Sequence, residues 1–158
     1  MDRPALPALD FKRLGPPAGS RITVVGGCGG IGRALVDACL GLDLRVSVLH
    51  LPASLETHAP HSDCLQHAID ATDEKSVEEA FGHIQSAWGG LDIMVNLCGF
   101  TNELEAVADM SVATWDEITE GNLRSAFLCS KAALPRLRQS NCAAIINTAS
   151  GLAYKGLA

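Results

Sequence analysis

An α/β fold built on a parallel, doubly wound sheet is what this sequence predicts, and three features predict it. Short runs rich in Val and Ile alternate with longer segments whose apolar residues recur at helical spacing. The strand-like runs are nearly continuous in apolar residues, as expected when helices cover both faces of a sheet. A cluster of glycines, Gly26-Gly27-Cys28-Gly29-Gly30-Ile31-Gly32, sits where the first such run gives way to the first helical pattern. Right-handed crossovers between successive units of this kind produce a parallel sheet.

Residues 1–20 contain four prolines, mixed charge and no apolar core, so they read as a mobile arm and not as a secretory leader. Residues 21–158 form one domain in this reading. Ile22 to Val25 is the first strand. Ile31, Leu35, Val36, Cys39 and Leu40 then mark an amphipathic helix. Arg45 to Leu51 is the second strand, and the two prolines between Pro52 and His61 predict a loop or a broken short helix. Leu65 to Ile69 is a short third strand. Thr72 or Asp73 caps a helix through Val77, Ala80, Phe81, Ile84 and Trp88, which Gly89-Gly90 stops. Asp92 to Leu97 is the fourth strand. Ser111 or Thr114 opens a long helix to about Arg138, with Pro135 loosening its last turn. Ala143 to Thr148 is the fifth strand.

Composition narrows the function classes. A chain of 158 residues, 47% hydrophobic, suits one globular domain. A net charge of −6 disfavours non-specific nucleic-acid binding, so no nucleic-acid partner is expected. No apolar run approaches the roughly 20 residues needed to cross a bilayer, so no membrane partner is expected either. Cys28, Cys39, Cys64, Cys98, Cys129 and Cys142 contain no C-x-x-C pair, so no metal site is expected. Reduced thiols in a cytoplasmic protein are the simplest reading.

Ligands of doubly wound sheets bind beyond the carboxyl ends of the strands, where the strand order reverses. The glycine cluster lies at such an end. Small residues there let backbone approach a pyrophosphate, and the N–H groups of a helix start favour its charge. Gly27, Gly29 and Gly32 fit G-x-G-x-x-G, while Gly26, Gly30 and Gly32 fit the wider G-x-x-x-G-x-G. Both are Rossmann-type dinucleotide signatures in a strand–turn–helix setting.

The wider register, followed by Arg33-Ala34-Leu35, resembles the short-chain dehydrogenase/reductase family. Four later segments match that family in order: Asp70-Ala71-Thr72-Asp73, Asn96-Leu97-Cys98-Gly99, Asn122-Leu123 with Phe127-Leu128-Cys129, and Asn147-Thr148-Ala149-Ser150. The resemblance implies an oxidoreductase moving hydride between NAD or NADP and a small-molecule alcohol or ketone. It implies cofactor contacts from Gly26, Cys28, Gly29, Gly30, Ile31, Gly32, Asp70, Ala71, Asn96, Leu97, Cys98 and Gly99. It makes Ser150 the residue that orients the substrate oxygen and Asn122 the holder of a water in the proton relay. Pairing of subunits through the helix around residues 114–138 is also implied. Each match has a plainer reading: Asp70 as a helix cap, Asn96 as a loop brace, Asn122 as a satisfied core amide, Ser150 as a turn residue.

The departures from the family matter too. Val25 stands where the family often has Thr, and Leu97-Cys98 where it has Asn-Ala. The second strand ends in His50, where an acidic residue binds the ribose hydroxyls of NAD. Neutral His can hydrogen-bond a ribose hydroxyl and protonated His can meet a 2′-phosphate, so preference stays open. The family's proton donor is the Tyr of a Tyr-x-x-x-Lys pair beyond the serine. Here Tyr154 and Lys155 are adjacent and close to Ser150. Neighbouring residues do not share a helix face, so Tyr154 reads as a loop residue. The expectation is a sheet incomplete at its C-terminal side, a fifth strand with an uncovered edge, and a 158-residue chain without turnover of its own. The alternative is a complete, non-catalytic dinucleotide-binding or interaction module.

Overall fold

The computed structural model describes residues 15–57, 61–101 and 105–151. The elements run β1 (Arg21–Val25), α1 (Gly30–Gly41), β2 (Arg45–His50), α2 (Pro52–Thr57), β3 (Leu65–Ala68), α3 (Glu74–Trp88), β4 (Ile93–Asn96), α4 (Val112–Thr119), α5 (Ser125–Leu137) and β5 (Ala144–Asn147). All four strand pairings are parallel, in the order β3-β2-β1-β4-β5. The chain builds outward from β1 through β2 to β3, then returns to the other side of β1 for β4 and β5. The reversal point therefore lies between the carboxyl ends of β1 and β4.

Strand alternation divides the core into two layers. Ile22, Val24, Val46, Val48, Ile93 and Val95 face one way and pack with Val36 and Cys39 of α1. Val25, Leu49 and Met94 face the other way, against Val77, Phe81 and Ile84 of α3 and Leu128, Cys129 and Ala132 of α5. At the opposite end of the strands from the glycines, β1 is pinned to the start of β4. Arg21 donates from Nε and Nη2 to the two carboxylate oxygens of Asp92, each at 2.8 Å, and its backbone N–H donates to Oδ2 at 2.8 Å.

The local signals around α3 act as read. The Asp73 carboxylate accepts the N–H of Ser76 at 2.6 Å, and Gly89 ends the helix in the left-handed conformation at φ 72°. Residues 52–57 form the short helix α2. Ile31 departs from expectation: it is exposed and leaves the apolar stripe of α1. It sits in the first turn of the helix.

The helix expected from Ser111 or Thr114 to about Arg138 is interrupted. Ser111 caps α4, a π-helical segment covers Glu120–Arg124, and α5 follows, carrying Pro135 inside it. Side-chain hydrogen bonds compete with the backbone ladder at the interruption. The Asn122 amide donates to the Ile118 carbonyl at 2.8 Å, and the Ser125 hydroxyl donates to the Gly121 carbonyl at 2.8 Å. At the far side of the described sheet, Ile146 of β5 is 51% exposed.

Candidate functional site

The glycine turn is folded tightly against its surroundings, and its glycines answer different demands. Gly26 adopts φ 84°, and its N–H donates to the Leu49 carbonyl at 2.7 Å. A Cβ there would stand 3.1 Å from the Leu97 carbonyl carbon. A Cβ on Gly27 would stand 2.8 Å from Cγ1 of Val48. A Cβ on Gly32 would collide with the Gly26 carbonyl oxygen and lie 2.7 Å from the Gly27 Cα. Gly30 differs, because a Cβ there would meet no protein atom within 4 Å. Packing explains Gly26, Gly27 and Gly32; it does not explain Gly30.

Helix α1 starts at Gly30 with Gly29 as an extended N-cap that supplies no side-chain hydrogen bond. The first-turn N–H groups of any helix lack intrahelical acceptors. Here the N-cap Gly29 offers no side chain to them at the end of β1, the arrangement that favours an anion.

An open groove of about 490 Å³ runs across the carboxyl ends of the strands. Gly26 and Gly29 line its middle. His50 and Leu51 enter from β2, and Ile69 to Thr72 from β3. Leu97 to Phe100 follow β4, while Glu117, Glu120, Gly121 and Ser125 come from the interrupted helix. Thus the groove brings together Gly26, Gly29, His50, Asp70, Ala71, Leu97, Cys98 and Gly99 of the residues singled out in sequence. Gly30, Ile31 and Gly32 belong to the start of α1 beside it, and Cys28 turns its side chain into the core on the α1 face. No group of three or more His, Cys, Asp or Glu side chains among the described residues could hold a metal ion.

Asn96 is buried below the groove. Its Oδ1 accepts the Cys98 N–H at 3.0 Å, and its Nδ2 donates to Oδ1 of Asn147 on β5 at 3.4 Å. This is the brace for the loop after β4. Asn122 acts on the same loop from the other side. Its Nδ2 donates to the Phe100 carbonyl at 2.7 Å and its Oδ1 accepts the Phe100 N–H at 3.2 Å. Both amide hydrogens are therefore engaged by protein, so a relay water would have to meet Oδ1 or the backbone. The Asp70 carboxylate accepts from the Thr72 N–H at 2.9 Å and hydroxyl at 2.7 Å, while Asp73 is the cap of α3. Ser150 lies exposed just past β5. Tyr154 and Lys155 lie outside the described residues.

Burial pushes the Cys98 thiol up to about 11, with the nearby Asp70 charge adding to the effect. It is a neutral, weakly polar wall at ordinary pH and no nucleophile. The residues that sequence reasoning missed are Leu51, Ile69, Thr72, Phe100 and the helical set Glu117, Glu120, Gly121 and Ser125. Thr72 lies inside one matched motif and Phe100 directly follows another, so both were within reach of it. The helical set had no local signal, because its turn toward the groove depends on the π-segment.

Comparison with known proteins follows the same lines. The sequence profile described as short chain dehydrogenase matches residues 20–158. A short chain dehydrogenase/reductase of the fungus Macrophomina phaseolina is 31% identical over 150 residues, covering 88% of this chain and 85% of that protein. A double mutant of a Serratia marcescens short-chain dehydrogenase/reductase superposes with a TM-score of 0.76 at 26% identity, over 86% of this chain and 57% of that one. ElxO, solved with NADP bound, shares the fold with a TM-score of 0.80 at 24% identity, over 88% of this chain and 58% of that one. The chain spans about half the length of several other curated relatives. With the parallel sheet, the glycine turn and the ordered motifs in agreement, this chain belongs to the short-chain dehydrogenase/reductase family.

Proposed function

We propose that this chain supplies the cofactor-holding part of an NAD(P)-dependent oxidoreductase that interconverts an alcohol and a ketone. The observation that carries the reading is Gly30: a glycine with empty space above it, opening a helix with no side-chain cap. A pyrophosphate is the ligand that uses both the clearance and the N–H groups. The adenosine then extends toward the ends of β2 and β3, at His50 and Asp70. The nicotinamide half extends the other way, over Leu97 to Phe100 and toward Ser150. The bound nicotinamide supplies the hydride chemistry, and the chain supplies position and electrostatics. Asn96 and Asn122 brace the loop over which that half lies, and Ser150 orients the substrate oxygen.

The groove supports NAD over NADP. Asp70, Glu117 and Glu120 line it, and His50 is the one lining residue among those described that can become a cation. A 2′-phosphate beside Asp70 would meet no Lys or Arg from that set. Titration of the purified chain with NADH and NADPH, followed by cofactor fluorescence, tests both levels. Binding of NADH more tightly than NADPH is expected. If neither binds, the proposed function falls; if NADPH binds more tightly, only the preference falls.

The wider setting completes the proposal. Leu123, Phe127 and Leu134 are exposed and share one helical face, suited to pairing with a second copy of the chain. Phe127→Glu should then shift the protein toward monomer in light scattering, and an unchanged mass would remove this part. No helix among the described residues is long and apolar enough to cross a membrane. Cys28, Cys39, Cys64 and Cys129 are unpaired and buried, compatible with a reducing cytoplasm.

A further inference from the structure

We infer that Gly121 is a positioning residue that sets the nicotinamide-side wall of the groove by letting the π-segment lie directly against Phe100. The inference rests on the cofactor reading above. A Cβ on Gly121 would stand 2.9 Å from the Phe100 Cβ and 3.4 Å from its Cγ, closer than a side chain tolerates without movement. Phe100 cannot easily give way, because the Asn122 amide holds both its N–H and its carbonyl. Gly99 is in the same contact: a Cβ there would lie 3.5 Å from Oδ1 of Asn122. The π-segment is held in turn from behind, where the buried Ser125 hydroxyl takes up the Gly121 carbonyl at 2.8 Å.

The result is a three-part clamp made of Gly121, Asn122 and Ser125 acting on one loop residue. Phe100 nonetheless stays 39% exposed and lines the groove. An aromatic ring partly in water and fixed through its backbone is placed as a wall for a flat, apolar group. The strand order puts that wall beside the reversal point, close enough to Asp70 for its charge to reach the Cys98 thiol. Gly121 thus acts on the ligand through this loop.

Ligand binding and local exchange together make this testable. In the 158-residue chain, Gly121→Ala should weaken NADH by roughly fivefold or more, and NADH binding equal to wild type would overturn the inference. Phe100→Gly removes the atom that a new Cβ meets, so Gly121→Ala should add no further loss in the F100G background. A G121A chain that unfolds is read through that background, where the substitution should be tolerated; an equal loss in both backgrounds overturns the inference. Hydrogen exchange at the Phe100 N–H gives a reading independent of any cofactor. G121A should accelerate it while leaving β1 amides protected, and unchanged exchange refutes the clamp. If the wild-type chain does not bind NADH, the proposed function fails, and the exchange measurement alone decides the role of Gly121.

Discussion

Two alanine substitutions two residues apart separate what the protein demands of its glycine turn from what a ligand demands. At Gly32 the added methyl would lie 2.7 Å and 2.8 Å from the Gly27 Cα and carbonyl carbon. An ordinary contact is about 3.4–4 Å, so backbone on both sides must move by more than half an ångström. Forced overpacking of this kind costs about 1–3 kcal/mol, and unyielding backbone argues for the upper part of that range. Replacing Gly by Ala inside a helix returns about 1 kcal/mol at most. The net loss for Gly32→Ala is then about 2 kcal/mol, or about 4–8 °C in Tm for a domain of this size. Gly30→Ala meets no protein atom and should stay within about 0.5 kcal/mol of wild type. Its methyl would stand where the pyrophosphate approaches, so NADH affinity should fall about tenfold or more. Urea unfolding measures the first quantity and NADH fluorescence the second. Wild-type NADH affinity in G30A would refute the assignment of that space to a phosphate. Wild-type stability in G32A would refute the packing of the turn.

Other substitutions probe separate parts of the molecule. The Arg21 guanidinium holds the Asp92 carboxyl well below the ordinary carboxylate range, against the opposing effect of burial. Because this pKa is depressed in the folded state, the stabilisation is complete above the unfolded value near 3.9 and is lost as pH falls below about 4. Asp92→Asn should cost about 2 kcal/mol at pH 7, less than the roughly 3–5 kcal/mol of fully buried pairs, and should flatten the acid limb of stability against pH. An acid limb identical to wild type would show that the pair contributes nothing. His50→Arg should improve NADPH affinity relative to NADH by about tenfold through a charge-assisted contact. An unchanged ratio would mean that His50 does not face the adenosine ribose.

Legibility in the sequence followed the range of the forces involved. Asp73 and Gly89 mark the ends of α3 through contacts within one turn, so local residue types were enough. The strand ends carrying His50, Asp70 and Leu97 were equally readable, because alternating strands and helices leave few topologies open. The interruption at Glu120–Arg124 was not readable. The Asn122 and Ser125 side chains bond carbonyls one turn back, as such residues also do in regular helices, and the Phe100 backbone that Asn122 holds lies 22 positions away in sequence. Ile31 misled for a related reason: helical periodicity reports a face, but only the tertiary fold decides whether a sheet lies under each turn of it. The roles of the glycines were hidden as well. The same residue type serves a left-handed turn at Gly26, a backbone crossing at Gly32 and open space at Gly30.

The asymmetry of β5 bears on how the site forms. This strand is partly buried at Ala144 and Ile145 and exposed at Ile146 and Asn147. At its carboxyl end it is held by polar links: the Thr148 N–H and hydroxyl on the Asn96 carbonyl at 3.1 Å and 3.0 Å, and Asn147 between Asn96 and Ser130. Such contacts open at lower free energy than the apolar layers around β1. Among the described residues, the segment that leads to Ser150 is thus held at the low-stability end of the sheet. A ligand lying across β4 and β5 would complete this part of the fold as it binds, so its affinity includes the free energy of closing that seam.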